Sequence, residues 1–395
     1  MNRAALVRGI QLIVAITLVT FAVMVYRAIA LKRADLALGL STLHPLWLVL
    51  AVASALQEGV CGGTRMFVLG RVLCPKLRWR TAVASEFVLM FVAGVTPGQV
   101  GAPVAQVATL VEGGMPFEAI ATAELLTAFC TTGFFLLSAA ALMVLRAGGW
   151  LASPGGAGLD ALVGLSTVVF GSGLGAIVLC VVHPPVLKRL LSGLAAVFGP
   201  PWHVVRVRLA RLPMLRRLES ARQGVLLDRM LHAVDRVHAG FAVYLRQGRG
   251  AVLTAFALTV GFFWARFAVA FLILKGLGLP TTPQHFVCVG PPLVQVIVVQ
   301  SLLNFALYLS PTPGASGIAE AGSNSIMAPW VPAAYELPYL VLWRIIALFL
   351  CMFVGGAYVF RYLGTDVLER RAREAEEAEA KVELGAPAPH GGPDS

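Results

Sequence analysis

Long apolar runs separated by short polar ones organise this chain. Runs of about 20 mostly apolar residues, the length that crosses a bilayer as a helix, fall at 9–30, 46–70, 82–96, 117–145, 158–182, 250–275, 284–309 and 333–361. Two shorter apolar pieces, 101–113 and 315–328, follow the third and seventh runs. The pattern breaks between 183 and 249, where twelve Lys/Arg stand against three acids. Within it Leu218, Val225, Leu231, Val234, Val237, Phe241 and Leu245 recur at helical spacing, with Arg222, Arg229 and Arg236 on other faces. That pattern predicts an interfacial helix on a cytoplasmic leaflet, or else a basic loop that only fixes topology. The last stretch, 366–395, predicts a charged, disordered tail.

Composition agrees with a polytopic membrane protein. Of 395 residues 58% are hydrophobic and 13% charged, and mean hydropathy is +0.81, whereas soluble domains run at about 45–50% apolar and 25% charged. The net charge of +11 lies between apolar segments, so it argues for topology and anionic lipid headgroups rather than nucleic acid. The six cysteines form no CxxC or Cys/His cluster and read as small core residues. The first apolar run lacks a convincing cleavage site and reads as a retained helix.

Two stretches share a core, "VAGVTPGQVGAPVAQ" and "YLSPTPGASGIAEAG". At an ungapped offset of 216, Thr96, Pro97, Gly98, Gly101, Ala105 and Pro116 match Thr312, Pro313, Gly314, Gly317, Ala321 and Pro332. Topology gives them a reason. If 82–96 crosses fully, parity strands the basic 183–249 segment on the outer face. A re-entrant hairpin of 82–96 and 101–113, open to the cytoplasm, removes the conflict. A second, of 284–309 and 315–328 from the outer side, brings the C-terminus inside. Broken helices in inverted repeats mark transporter sites near the midplane; two ordinary proline kinks of chance similarity are the alternative. The expected architecture is thus all-α, with about six full spans, two oppositely oriented re-entrant hairpins and an inverted repeat. Repeat one covers about 46–182 and repeat two about 250–361, within a transmembrane domain of 1–365. Both termini are then cytoplasmic, although Arg27, Lys32 and Arg33 fall outside, against the positive-inside rule.

Ionisable residues inside spans are costly and mark candidate function. They are Glu58, Arg65, Glu86, Glu124, Arg266, Glu320, Glu336 and Arg344, accompanied by Gln99, Gln106, Gln295, Gln300, Asn304 and Asn324. Arg344, Glu320, Arg266, Glu124 and Asn304 are the candidate substrate-binding set, with Glu86 behind them. An arginine holds a phosphate through two parallel hydrogen bonds, and a carboxylate beside it pairs the arginine or takes up a proton. Arg65, Glu58 and Glu336 read as structural, the end residues snorkelling. No Walker loop, HExxH, GxSxG or dinucleotide fingerprint is present, and the seven histidines form no ligand pair inside a span. No catalytic residue, cofactor or metal is expected.

"SPTPGASGIAEAG" followed by a span with a central arginine, "LVLWRIIALFL", together with the earlier "TPGQVGAPVAQVATLVEGGMPFEAIATAELL", resembles the lysylphosphatidylglycerol synthase transmembrane (flippase-like) family. The resemblance covers about 45–365. Its stand-alone form, without the aminoacyl-transferase domain, implies a mover of a lipid or lipid-linked amphiphile in the cytoplasmic membrane of a prokaryote. Its partners would be membrane lipids with an anionic headgroup and the enzymes of their pathway. Gly317-Ile318-Ala319-Glu320 fits the family's Gly-x-x-Glu, and Arg344 fits the arginine of the final span. Where the family often carries Glu-Arg-x-x-Asp, Glu124 is followed by Leu125, with Ala128 in place of the acid. A scaffold subunit of a lipid or glycan pathway and a lipid-modifying enzyme at the cytoplasmic face are the rival classes.

Overall fold

A computed structural model describes residues 43–96, 99, 101–151, 157–183, 223–283, 287–308, 310, 312–315 and 317–361, with a few isolated positions besides. The expected first span at 9–30, most of the basic segment, the tail, Pro97 and Gly98 lie outside the described residues.

The described chain is helical. In order, the helices are α1 (Pro45–Leu73), α2 (Trp79–Val95), α3 (Ala102–Glu112), α4 (Phe117–Ala147), α5 (Ala157–Val182), α6 (Gln223–Arg246), α7 (Arg249–Gly276), α8 (Pro292–Tyr308) and α9 (Ile318–Met327). The last, α10 (Ala333–Arg361), begins with a 3-10 turn and widens into a π-helical turn at Ile345–Phe349. Four of them, α1, α4, α7 and α10, are long and apolar enough to cross a membrane. Prolines open several: Pro45 starts α1 and Pro116 caps α4, places where a missing N–H costs nothing.

The centre is the antiparallel pair α1 and α7, where Ala51 and Ala55 meet Val269, Ala270, Ile273 and Leu274 without solvent exposure. Ser54 Oγ donates to the Ala265 carbonyl at 2.9 Å across this seam. Small residues let α2 approach α1 closely. A methyl group on Gly63 would lie 2.3 Å from Val83 Cα, and one on Gly59 2.5 Å from the Phe87 ring. At the same Phe87, a methyl on Gly355 of α10 would sit 2.0 Å from the carbonyl oxygen. Close approach through small residues substitutes for the hydrophobic driving force that lipid does not supply.

Interhelical contacts sort the connections onto two ends of the bundle. At one end His44 N–H donates to Gly276 O at 2.7 Å, Val289 N–H to Trp150 O at 2.9 Å, and Trp330 Nε1 to Thr281 O at 2.9 Å. At the other end the Tyr244 hydroxyl donates to Leu69 O, Leu77 and Met115 crowd Gly70, and Arg236 pairs with Glu118 at 2.7 Å. The α2–α3 pair has its base at this second end, since Thr81 abuts Gly113. The α8–α9 pair has its base at the first.

Two expectations need correction. The run 284–309 is not a full-length helix: α8 starts only at Pro292, because Pro291 and Pro292 remove two N–H donors and favour a helix start. Cys288 instead forms an isolated antiparallel bridge with Leu151. The helix expected over 218–245 is present from Gln223, and part of the second half of its apolar stripe turns inward while Leu245 stays exposed. Val237, Phe241 and Tyr244 pack into a core with Met66, Leu69, Ile120 and Ala123.

Candidate functional site

A cavity of about 270 Å³ lies among α1, α2, α3, α4, α7, α8 and α10. Its wall carries Glu58, Arg65, Glu86, Glu124, Arg266 and Arg344, with Gln106, Asn304 and Gly314 beside them. Seven-residue spacing builds the first layer. Glu58 and Arg65 are two turns apart on α1, as are Thr259 and Arg266 on α7. The antiparallel helices pair them crosswise, Arg266 Nη1 donating to Glu58 Oε1 at 2.8 Å and Arg65 Nη1 to Thr259 Oγ1 at 3.2 Å. Arg65 also reaches Thr131 Oγ1 of α4 at 3.3 Å and stands over the Phe262 ring. It is 6% exposed, so it does not snorkel as expected: hydroxyls and a ring hold it inside the bundle. Glu58 is 2% exposed, whereas 34% of the Arg266 side chain is open.

Glu86 belongs to α2 and accepts the Gln106 amide of α3 at 3.2 Å. Its place depends on Gly62, where a methyl would lie 2.4 Å from the Glu86 carboxylate.

The second shared motif is fastened by an arginine. Arg344 Nε and Nη2 donate to Glu320 Oε1 at 2.8 and 2.5 Å, and Nη1 to the Gly314 carbonyl at 2.9 Å. Glu320, at the third position of α9, accepts the Gly317 N–H at 2.5 Å through Oε2 and closes the N-terminus of that helix. Gly314, Ala315 and Gly317 all have positive φ, 55°, 54° and 88°, a conformation glycine takes freely and alanine does not. Thr312 O accepts from Ala315 N–H at 3.0 Å, and Gly314 rests close to the Gly94 carbonyl of α2. In the first motif Thr96 bonds its hydroxyl to Val92 O at 2.8 Å, Gln99 N–H donates to Thr96 O, and Gln99 has φ 59°. Gly101 precedes α3.

Arg344, Arg266, Glu124 and Asn304 thus share one wall, and Glu320 stands behind Arg344. Arg65 and Glu58, which read as structural from the sequence, both line the cavity; the seven-residue polar spacing on α1 and α7 is the sequence signal for them. Glu336 lies apart at the start of α10.

Many polar atoms here have no partner among the described residues. They are Glu58 Oε2, Arg65 Nε, Gln106 Oε1, Glu124 Oε1, Thr127 Oγ1 and both amide atoms of Asn304. Asn304 is 2% exposed. Buried polar atoms in proteins are nearly always satisfied, by water or ligand where not by protein, so this wall suits a polar occupant. Outside it, the helices present Leu253, Phe353, Val168 and Leu137, as lipid-facing surfaces do.

The family model described as "Lysylphosphatidylglycerol synthase TM region" matches residues 10–355. No curated protein and no solved structure matches the chain.

Proposed function

The chain belongs to the lysylphosphatidylglycerol synthase TM region family, and from that premise we propose that it moves a lipid or lipid-linked amphiphile between the leaflets of a prokaryotic cytoplasmic membrane without altering it chemically. The observation that carries this reading is the polar cavity inside an apolar bundle. A headgroup crossing hydrocarbon needs hydrogen-bond partners at depth, and the cavity wall offers them while the apolar exterior suits acyl or prenyl chains.

The α2–α3 and α8–α9 pairs act as re-entrant hairpins. The 11 residues of α3 and the 10 of α9 make helices of about 16 and 15 Å at 1.5 Å per residue, half of a hydrocarbon core of about 30 Å. Their bases lie at opposite ends of the bundle, which supports entry from opposite faces. The shared left-handed φ of Gln99 and Ala315, 216 positions apart, supports the inverted repeat. The end bearing Arg71, Lys76, Arg78, Arg80, Arg246 and Arg249 faces the cytoplasm, and six full spans then return both termini there.

Arg266, open to the cavity, and Arg65 are the guanidinium groups placed to hold an anionic headgroup. Arg344 stands differently: its donors are occupied by Glu320 and Gly314, so it shapes the second hairpin tip. The leucine at 125 and alanine at 128 leave α4 without the basic and acidic residues typical of the family, which narrows headgroup selection to the remaining wall.

The test is leaflet exchange of labelled anionic and zwitterionic lipids in proteoliposomes, native chain against Arg266→Met. Faster exchange that the substitution abolishes supports translocation. Absence of exchange for every lipid, with correctly folded protein, rejects it for those lipids and favours a scaffold role.

A further inference from the structure

The cavity wall holds three carboxylates and three guanidinium groups, and their pairing is uneven. Arg344 is taken by Glu320, which lies behind the wall, and by the Gly314 carbonyl. Arg266 is taken by Glu58. Arg65 therefore stands alone for both Glu86 and Glu124, and its Nη1 already serves two threonine hydroxyls. Glu86 is within Coulombic reach of Arg65, and Glu124 of both.

The other groups facing these acids do not correct the balance. From α1 comes Glu58, a further negative charge, and from α3 only the neutral Gln106. From α7 comes Arg266, engaged with Glu58. From α8 come Tyr308 and Asn304, and from α10 Cys351 and the engaged Arg344. Two like charges confined beside a single cation in a low-dielectric wall do not both ionise; one keeps a proton. The hydrogen bonds select which. Glu86 Oε2 accepts the Gln106 amide, as an ionised carboxylate does, whereas Glu124 Oε1 has no donor facing it among the described residues.

We infer that Glu86 and Glu124 form a proton-binding site in which the proton resides on Glu124 and is exchanged during translocation. A second observation, independent of the acids, points to an occupied polar space. Asn304, 2% exposed, lines the same cavity, and both its amide atoms are without protein partner among the described residues. Together with Thr127 Oγ1, Gln106 Oε1 and Arg65 Nε, it leaves around the carboxyls a set of buried polar atoms of the kind that internal water satisfies. The coupling half of this inference rests on the translocation reading; the proton site does not.

The experiment therefore has two readouts on the full chain reconstituted in vesicles. The first is infrared spectroscopy of the protonated carboxyl band at pH 7, where a free glutamate with a pKa of about 4.3 is ionised. The native chain is expected to show the band and Glu124→Gln to lose it. Glu118→Gln, which removes a carboxylate paired with Arg236 outside the cavity, is expected to keep it. Glu86→Gln is expected to lose it as well, because Arg65 then pairs with Glu124; this variant covers the case in which Glu124→Gln does not fold. A missing band in the native chain, or a band that survives both substitutions at cavity positions, overturns the site.

The second readout is lipid exchange with and without an imposed pH gradient. A several-fold directional bias that Glu124→Gln removes supports coupling, and equal rates overturn it. A band without any lipid exchange leaves the proton site standing and counts against translocation alone.

Discussion

Gln99 and Ala315, 216 positions apart, are the only non-glycine residues with left-handed φ among those described, at 59° and 54°. Each sits in the turn of a Thr-Pro-Gly-x-x-Gly motif. An L-residue pays about 1–2 kcal/mol in that conformation, so two independent turns converging on it at one repeat position argue for a shared backbone design. Ala315→Val, a β-branched residue in a buried left-handed turn, should lower the thermal unfolding midpoint in detergent by several degrees. Gln99→Gly, which relieves strain at an exposed position, should leave it unchanged or raise it.

Arg344 and Glu320 form a pair with little solvent access, their side chains 7% and 18% exposed. Removing one partner of a buried pair strands the other charge, at a cost of about 3–5 kcal/mol. Arg344→Met and Glu320→Gln should each destabilise markedly, and the double variant less than their sum. A thermal-unfolding double-mutant cycle measures this; a coupling near zero would show that the pair does not fasten the hairpin tip.

The helix seams make a sharper steric prediction. Gly355→Ala places a methyl against the Phe87 carbonyl, and Gly63→Ala one against Val83 Cα; neither neighbour is a side chain that can turn away. Both variants should express poorly or unfold early. Gly261→Ala, whose methyl would meet Cys61 Sγ at 3.7 Å, an ordinary contact, should fold normally when compared by size-exclusion profile.

Hairpin orientation is accessible to labelling in a background without native cysteines. Lys76→Cys and Glu112→Cys, at the base of α2–α3, should react with an impermeant thiol reagent from the cytoplasmic face. Val289→Cys and Ala333→Cys, at the base of α8–α9, should react from the opposite face. Reaction of all four from one side would remove the inverted arrangement.

Much of the helical plan was legible because apolar runs are a local signal. The spans expected at 46–70, 117–145, 250–275 and 333–361 coincide with α1, α4, α7 and α10 within a few residues. The short start of α8 was written in Pro291-Pro292 and was overridden by the hydropathy of Val287–Val289. The site was half legible. Arg344, Arg266, Glu124 and Asn304 stand out as polar residues in apolar runs. Whether Arg65 snorkels or turns inward depends on Thr131 and Thr259, 66 and 194 positions away, which no local pattern contains. The hold of Arg344 on Gly314 belongs likewise to tertiary structure, since it depends on a backbone carbonyl exposed by a turn.

The glycine seams that join α2 to α1 and α10 have a mechanical meaning. At Phe87 and Val83 α2 lies in close contact with α1 and α10, which also touch each other at Cys351 and Ala55, so the three helices have little clearance to slide and form one frame. The α8–α9 pair meets that frame through Gly314 at Gly94, through the side chain of Arg344, and through an apolar core that Leu303 and Ala319 share with Tyr339 and Leu340 of α10. Polar bonds can re-form after a small displacement, and steric seams cannot. The glycine seams thus mark the part of the molecule that resists displacement, and the hydrogen bonds of Arg344 at Glu320 and Gly314 the part that can re-form after one.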